Sequence, residues 1–273
     1  MRLGPYEYFG RTIRARRCAG LLLTLSAYQP GLSQPWHAHA NPTLFLLLRG
    51  QKCDRSAAQD YAQPPLTFVF HPTSETHAVE IGPGGTIGLN IECNGQWLAR
   101  QGLRERDLGG YRTLDSVRSR LQALVLLSLA FRQDAGTEAE LETCLFELLE
   151  PLVPAGRVAG PVGIPGWLRR GEEVLHDQFR SPITLRTIAR EADVHPVYFA
   201  RVFRRRHGCS VGAYIRALRL AEAGRLVVHE RQSLAEAACA AGFFDQPHFS
   251  RCFSRRFGFS PKVLRAASDS LGT

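Results

Sequence analysis

Residues 196–210 read PVYFARVFRRRHGCS and residues 246–260 read QPHFSRCFSRRFGFS. Phe199, Arg201, Phe203, Arg205, Arg206, Gly208 and Ser210 recur, 50 positions on, as Phe249, Arg251, Phe253, Arg255, Arg256, Gly258 and Ser260. Phenylalanines four apart share one helix face, while the arginines fall elsewhere on the cylinder. A repeat that keeps both sets implies two copies of one small helical unit, each burying its aromatic stripe and presenting a basic face.

The net charge sits with the repeat. Of 34 Lys and Arg and 25 Asp and Glu, residues 167–273 hold 18 and 10, whereas residues 1–166 hold 16 and 15. A basic excess confined to one segment is the electrostatic footprint of phosphate-backbone binding. Arginine supplies almost all of it, since the only lysines are Lys52 and Lys262.

At 273 residues and 44% hydrophobic, the chain has enough apolar material for two ordinary cores. The seven cysteines are odd in number and scattered, with no C-x-x-C pair, which argues against both a disulfide framework and a zinc finger and places the chain in a reducing cytoplasm. Arg14, Arg16 and Arg17 before the apolar run Cys18–Leu25 have the outline of a signal peptide, but the run is short and lacks a cleavage site. It reads as a buried strand.

Leu21–Ala27, Thr43–Arg49, Leu66–Phe70 and Ile87–Ile91 read as short strands, punctuated by Pro30-Gly31, Pro64-Pro65 and Pro83-Gly84-Gly85. That texture, over residues 1–112, is that of a small β-barrel or sandwich. Residues 113–150 change to helical spacing, with Leu121, Leu124, Val125 and Leu129 on one face and Leu141, Leu145, Leu148 and Leu149 on the next, broken at Ala135-Gly136-Thr137. This is a packing segment or a dimerisation seam. Residues 151–166, rich in proline and glycine, read as a linker, and residues 167–273 as all-helical. Ser181-Pro182 is an expected helix start, and Ser233 with Glu236 forms a capping-box pattern.

Within the C-terminal segment, Leu185–Ala192, the turn Asp193-Val194 and Pro196–Arg206 make one helix-turn-helix. Leu234–Ala241, a turn at Gly242 and Gln246–Arg256 make another, and helical Val211–Val228 joins them. The stretch Ala238–Arg265, with Ala241-Gly242-Phe243, Asp245-Gln246, His248-Phe249-Ser250-Arg251, Phe253, Phe257-Gly258 and Ser260-Pro261, closely resembles the signature of AraC-type transcription regulators. The wider resemblance covers Ile183–Arg265. It implies two helix-turn-helix subdomains bridged by one long helix, reading two successive major-groove segments of promoter DNA. Pro247 departs from the polar residue common there and cannot donate to a base or phosphate.

Helix geometry leaves His195, Val197, Ala200 and Arg201 outward on the first recognition helix, and Gln246, His248 and Arg251 on the second. Arginine pairs with guanine, glutamine with adenine, and Val197 and Ala200 with a thymine methyl. Arg205 and Arg255, like Arg204, Arg206 and Arg256, are placed for phosphate contact.

In the N-terminal segment, Gly31, His37-x-His39, Thr43 and Gly50 reproduce the spacing of the first cupin motif, with Thr43 where a glutamate usually stands. Pro72-x-Ser74-x-x-His77 resembles the second. The resemblance implies a cupin-like β-barrel sensor, so that the whole reads as an α+β chain. Its three imidazoles, His37, His39 and His77, either hold Zn, Fe or Ni or hydrogen-bond an organic effector. The expected partners are double-stranded promoter DNA, a small-molecule or metal effector, RNA polymerase and a second copy of the chain, with no membrane. The rival reading is a metal-dependent cupin oxygenase with an accessory helical tail; no second acid–base group stands out to serve it.

Overall fold

The computed structural model describes residues 1–5, 7–57, 59–132, 136–149, 152–153, 165–228 and 232–269. The chain divides into two compact units, Met1–Val158 with Val263–Thr273, and Ala159–Lys262. Most of the expected linker at 151–166 lies outside the described residues.

The first unit carries β1 (Arg2–Leu3), β2 (Arg11–Cys18), β3 (Leu21–Tyr28), β4 (Ser33–His39), β5 (Thr43–Ser56), β6 (Asp60–Gln63), β7 (Phe68–His71), β8 (His77–Cys93) and β9 (Arg112–Leu114). They form one sheet along the path β1-β4-β8-β5-β7-β9, with β3 also on β8, β2 on β3 and β6 on β5. Among the described residues its ends do not pair with each other, so the sheet is not a closed barrel.

Two strands are longer than their sequence suggests: β5 continues past Arg49 to Ser56, and β8 runs through Pro83-Gly84-Gly85, where a turn was expected. Their pairing shifts register between Leu47 and Arg49 and again between Gly50 and Lys52. Such bulges bend a strand pair. Gly50 (φ +92°) is required there, since a Cβ would lie 2.0 Å from the Gly85 carbonyl oxygen. Beyond the bend, the start of β8 pairs with β4, His37 opposite His77, while its end pairs with β3. That β4–β8 pairing sets the two β4 histidines beside His77.

The apolar run Cys18–Leu25 is split by a tight turn at Ala19-Gly20, both with positive φ (47° and 81°), into the end of β2 and the start of β3. The preceding arginines lie on β2. Arg16 Nη1 donates to the Leu129 carbonyl at 3.0 Å, at the end of helix α2 (Val117–Leu129), where carbonyls lack helical partners. Helix α1 (Gly95–Arg100) precedes it and α3 (Thr137–Leu149) follows it. Leu124, Leu129, Leu141, Leu145, Leu148 and Leu149 are buried as the spacing predicts, and Leu121 and Val125 are half-buried.

The second unit contains α4 (Gly166–Gln178), α5 (Leu185–Glu191), α6 (Pro196–His207), α7 (Val211–Val228), α8 (Leu234–Ala240) and α9 (Gln246–Phe257); α10 (Pro261–Asp269) follows. Leu168, Leu175, Ile188, Ala189, Phe199 and Phe203 share one core. α6 and α9 both end on a left-handed glycine, Gly208 (φ +67°) and Gly258 (φ +77°), the one residue that adopts that conformation without a Cβ clash. Ser233 and Glu236 form the expected capping box on α8.

Ser181-Pro182 does not start a helix. Thr184 caps α5, accepting from the Thr187 amide at 3.1 Å. Ser181 belongs to the end of α4: its amide bonds to the Gln178 carbonyl at 3.0 Å, and its own carbonyl accepts from Arg219 at 2.9 Å.

Candidate nucleic-acid interface and buried histidine cluster

In the first unit, His37, His39 and His77 are all buried, and one ligand nitrogen from each lies within 4.8 Å of the others. Ring centroids are 4.3 Å apart for His37 and His77, and 5.2 Å for His39 with either. A carbonyl only accepts, so the 2.7 Å contact between His37 Nδ1 and the Pro35 carbonyl places the proton on Nδ1 and leaves Nε2 as a free lone pair. His77 Nδ1 is buried without a hydrogen-bond partner. Burial holds every one of these rings neutral: desolvation lowers His37, takes His39 to about 3 and takes His77 to about 2. Neutral imidazole is the form that ligates metal.

Behind this trio stands a group that the sequence did not announce. His71 stacks on His77 at 3.8 Å with ring planes 17° apart, and its Nε2 lies 3.5 Å from Asp54 Oδ1. Asp54, fully buried, is paired with buried Lys52, which also stands 4.6 Å over the Phe45 ring. Asp54, His71 and His77 also lie within 4.8 Å of one another. Near-parallel rings aim their in-plane lone pairs side by side and do not converge on one ion, so His71 supports His77 and is not a fourth ligand. Among the described residues no carboxylate joins His37, His39 and His77 in one group, Asp54 grouping with His71 and His77 instead. The Thr43 hydroxyl donates to the Asn41 carbonyl, and Glu92, opposite Thr43 in register, accepts from Tyr8 and from Asn41. His37, His39, His77, Lys52, Tyr28 and Asn90 line a cavity of about 30 Å³, room for about two waters.

In the second unit, Phe199, Phe203, Phe249 and Phe253 are fully buried, so the opposite faces of α6 and α9 are solvent-facing. Arg201, Arg204, Arg205, Arg251, Arg255 and Arg256 are exposed there. Arg206 is not part of that open face: its Nε is 3.1 Å from Glu172 Oε1, which also holds His207 Nε2 at 2.7 Å. Recognition helices enter the major groove by their N-terminal ends. At those ends His195 caps α6, its Nδ1 accepting from the Val197 amide at 3.3 Å, and Asp245 caps α9, accepting from the His248 amide at 2.6 Å.

Arg219 on α7 ties the end of α4 to the turn of the second helix-turn-helix. Its guanidinium donates to the carbonyls of Phe179 (2.6 Å), Ser181 (2.9 Å) and Gly242 (2.7 Å). Beside it, buried Glu222 accepts from Arg180 and Arg225. Burial alone would raise its carboxyl, and those hydrogen bonds bring it below the usual range.

Residues 188–267 match a family model described as a helix-turn-helix domain. The transcriptional activator RhaS of Escherichia fergusonii is 28% identical over 182 residues, 67% of this chain and 63% of that protein. RhaS of Salmonella paratyphi B is 28% identical over 138 residues, half of each chain. Over residues 188–267 the chain carries a helix-turn-helix domain, and it is similar to these transcription regulators. A solved transcriptional regulator with an AraC-type DNA-binding domain from Chromobacterium violaceum is 25% identical and covers 39% of this chain and 95% of that one, at a TM-score of 0.37. This chain spans between half and about two thirds of the curated relatives it matches.

On this chain the expected base readers divide by exposure. Val197, Arg201, His248 and Arg251 are open; Ala200 and Gln246 are half-buried; His195 is exposed but commits one ring nitrogen to its cap. Two aromatic residues near the same ends were missed. Tyr198, 43% exposed, lies with its ring 5.4 Å from the Arg201 guanidinium, and Phe244 is 94% exposed. No periodicity marks either one, because both lie off the buried stripe. Among the described residues no helix is long and apolar enough to cross a membrane.

Proposed function

We propose that this chain is a sequence-specific DNA-binding transcription regulator, working in the cytoplasm as a homodimer. The single observation that carries the reading is the pair of helix-turn-helix units with buried phenylalanine stripes and exposed arginines on their recognition helices. It reads double-stranded promoter DNA through Val197, Arg201, His248 and Arg251, holds phosphates through Arg205 and Arg255, and acts on RNA polymerase from there. The RhaS relatives, named as transcriptional activators, support this class and favour a regulator over an enzyme.

The N-terminal unit is its cupin-like sensor, a reading supported by the motif spacing and by the bend in the β5–β8 pair. The signal it takes is a divalent metal at His37, His39 and His77. Organic ligand sites run to about 300 Å³ or more, whereas this cavity is about 30 Å³. Three neutral imidazoles with an open position suit Zn²⁺. Mapping bound promoter fragments genome-wide, with and without added zinc, tests both halves. Failure of the full chain to enrich any promoter refutes the regulator, and occupancy indifferent to zinc refutes the metal signal.

A further inference from the structure

The two helix-turn-helix units are not true copies at the turn. From the caps onward they run 50 residues apart, His195 matching Asp245. The first helices run 49 apart: the amide of Val194 bonds to the Ala189 carbonyl as that of Phe243 bonds to Ala238, both at 2.9 Å. The left-handed turn residues, Asp193 and Gly242, are likewise 49 apart. The second unit therefore holds one additional residue between turn and recognition helix. Val194 is half-buried and Phe243 buried, so the residue without a counterpart is Phe244.

This extra residue is 94% exposed, more than any other large hydrophobic among the described residues. Its mount is rigid. On one side Gly242 is held by Arg219 and Phe243 packs 5.4 Å from Phe249; on the other, Asp245 caps α9. An aromatic ring held out in water at the groove-entering end of a recognition helix is explained by what it meets there.

We propose that Phe244 is a specificity-determining residue that reads a thymine 5-methyl group in the major groove. The chemistry around it favours DNA over an apolar protein partner, because exposed Arg251, Arg255 and Arg256 follow on the same helix and complement phosphate. The first turn of α9 offers few backbone donors. Pro247 has none, and the His248 amide is spent on Asp245. Phenylalanine against the thymine methyl is an established mode of readout, and Val197, 69% exposed near the start of α6, offers the first unit an apolar tip of its own. The inference rests on the DNA-binding reading above.

The test uses the full chain and duplexes that it selects from a randomised pool. Each thymine in the second half of the selected site is replaced in turn by deoxyuridine, which removes only the methyl. One position is expected to lose about four-fold in affinity, the worth of one buried methyl-sized group. Phe244→Ala should bind the thymine and uracil duplexes alike at that position, while Phe244→Leu retains the difference. Melting temperatures of both variants, equal to the parent's because the ring touches solvent, exclude a folding defect. The proposal is overturned if no position responds to demethylation, if Phe244→Ala keeps the parent's response, or if it weakens all duplexes equally. It is also overturned if Phe244→Ala binds normally and only transcription fails, which would assign the ring to a protein partner. A parent chain that selects no duplex at all overturns the DNA-binding reading itself.

Discussion

Arg219 Nη1 donates to the carbonyl of Gly242 at 2.7 Å, so the long helix α7 holds the turn of the second helix-turn-helix while its other nitrogens hold the end of α4. One guanidinium thus fixes the turn that leads into α9 against the end of α4. Gly242 has no room for a side chain: its φ is +87°, and a Cβ would lie 2.2 Å from the Arg180 carbonyl oxygen.

Arg219→Ala should lower the stability of the second unit by about 2–3 kcal/mol, since it leaves the part-buried carbonyls of Phe179 and Gly242 without their charged donor. Gly242→Ala should cost at least about 1–3 kcal/mol through its strained backbone alone. Both should impair binding to two-segment sites more than to one segment. Denaturant melts and footprints of each half-site check this, and unchanged footprints would separate the joint from DNA reading.

Arg251→Ala should relax preference at one base pair, costing about 1–3 kcal/mol on the correct site. Arg205→Ala should weaken all sequences alike and flatten the salt dependence. Competition of specific against random duplex over a salt series distinguishes them. Equal losses on both DNAs for Arg251→Ala would make it a phosphate contact.

Zinc added to metal-free full-length protein should raise the melting temperature, with stabilisation approaching about 2.7 kcal/mol at a hundred times its dissociation constant. His37→Gln and His77→Gln should each remove that response while leaving DNA affinity in the absence of metal unchanged. A shift that survives in both variants places the metal elsewhere.

Acidification should destabilise the first unit. His39 and His77 have folded pKa values of about 3 and about 2, below the ordinary 6.5. The unfolded chain therefore binds more protons between those limits, and stability is full above pH 6.5 and falls as the pH drops towards 3. The loss is on the order of 1–2 kcal/mol per histidine by pH 5. Melting curves from pH 7.5 to 5 measure it, and a flat profile would mean that the rings are hydrated in solution.

Local pattern made much of the second unit legible. The helical bridge Val211–Val228 has the bounds its sequence predicts, and α6 and α9 begin at the residues expected, because buried phenylalanines four apart, N-caps and left-handed glycines are signals carried within a dozen residues. His37, His39 and His77 were nameable as a set for the same reason, since their spacing is itself the motif. α5 begins at Leu185 as its spacing predicts, but Ser181-Pro182, a good local cap, starts no helix: the Ser181 amide closes the end of α4 on Gln178 and its carbonyl is taken by the distant Arg219.

The sequence by itself determined which residues lie inward or outward on each recognition helix and where the basic charge is concentrated, because helical period and composition are local properties. Only the tertiary structure decided that β5 and β8 bend together at Gly50, that Lys52, Asp54 and His71 stand behind His77, and that Arg219 grips Gly242. Each of those depends on register or on contacts between residues far apart in the chain, and side-chain identity along one strand or helix does not encode what the neighbouring element places opposite it.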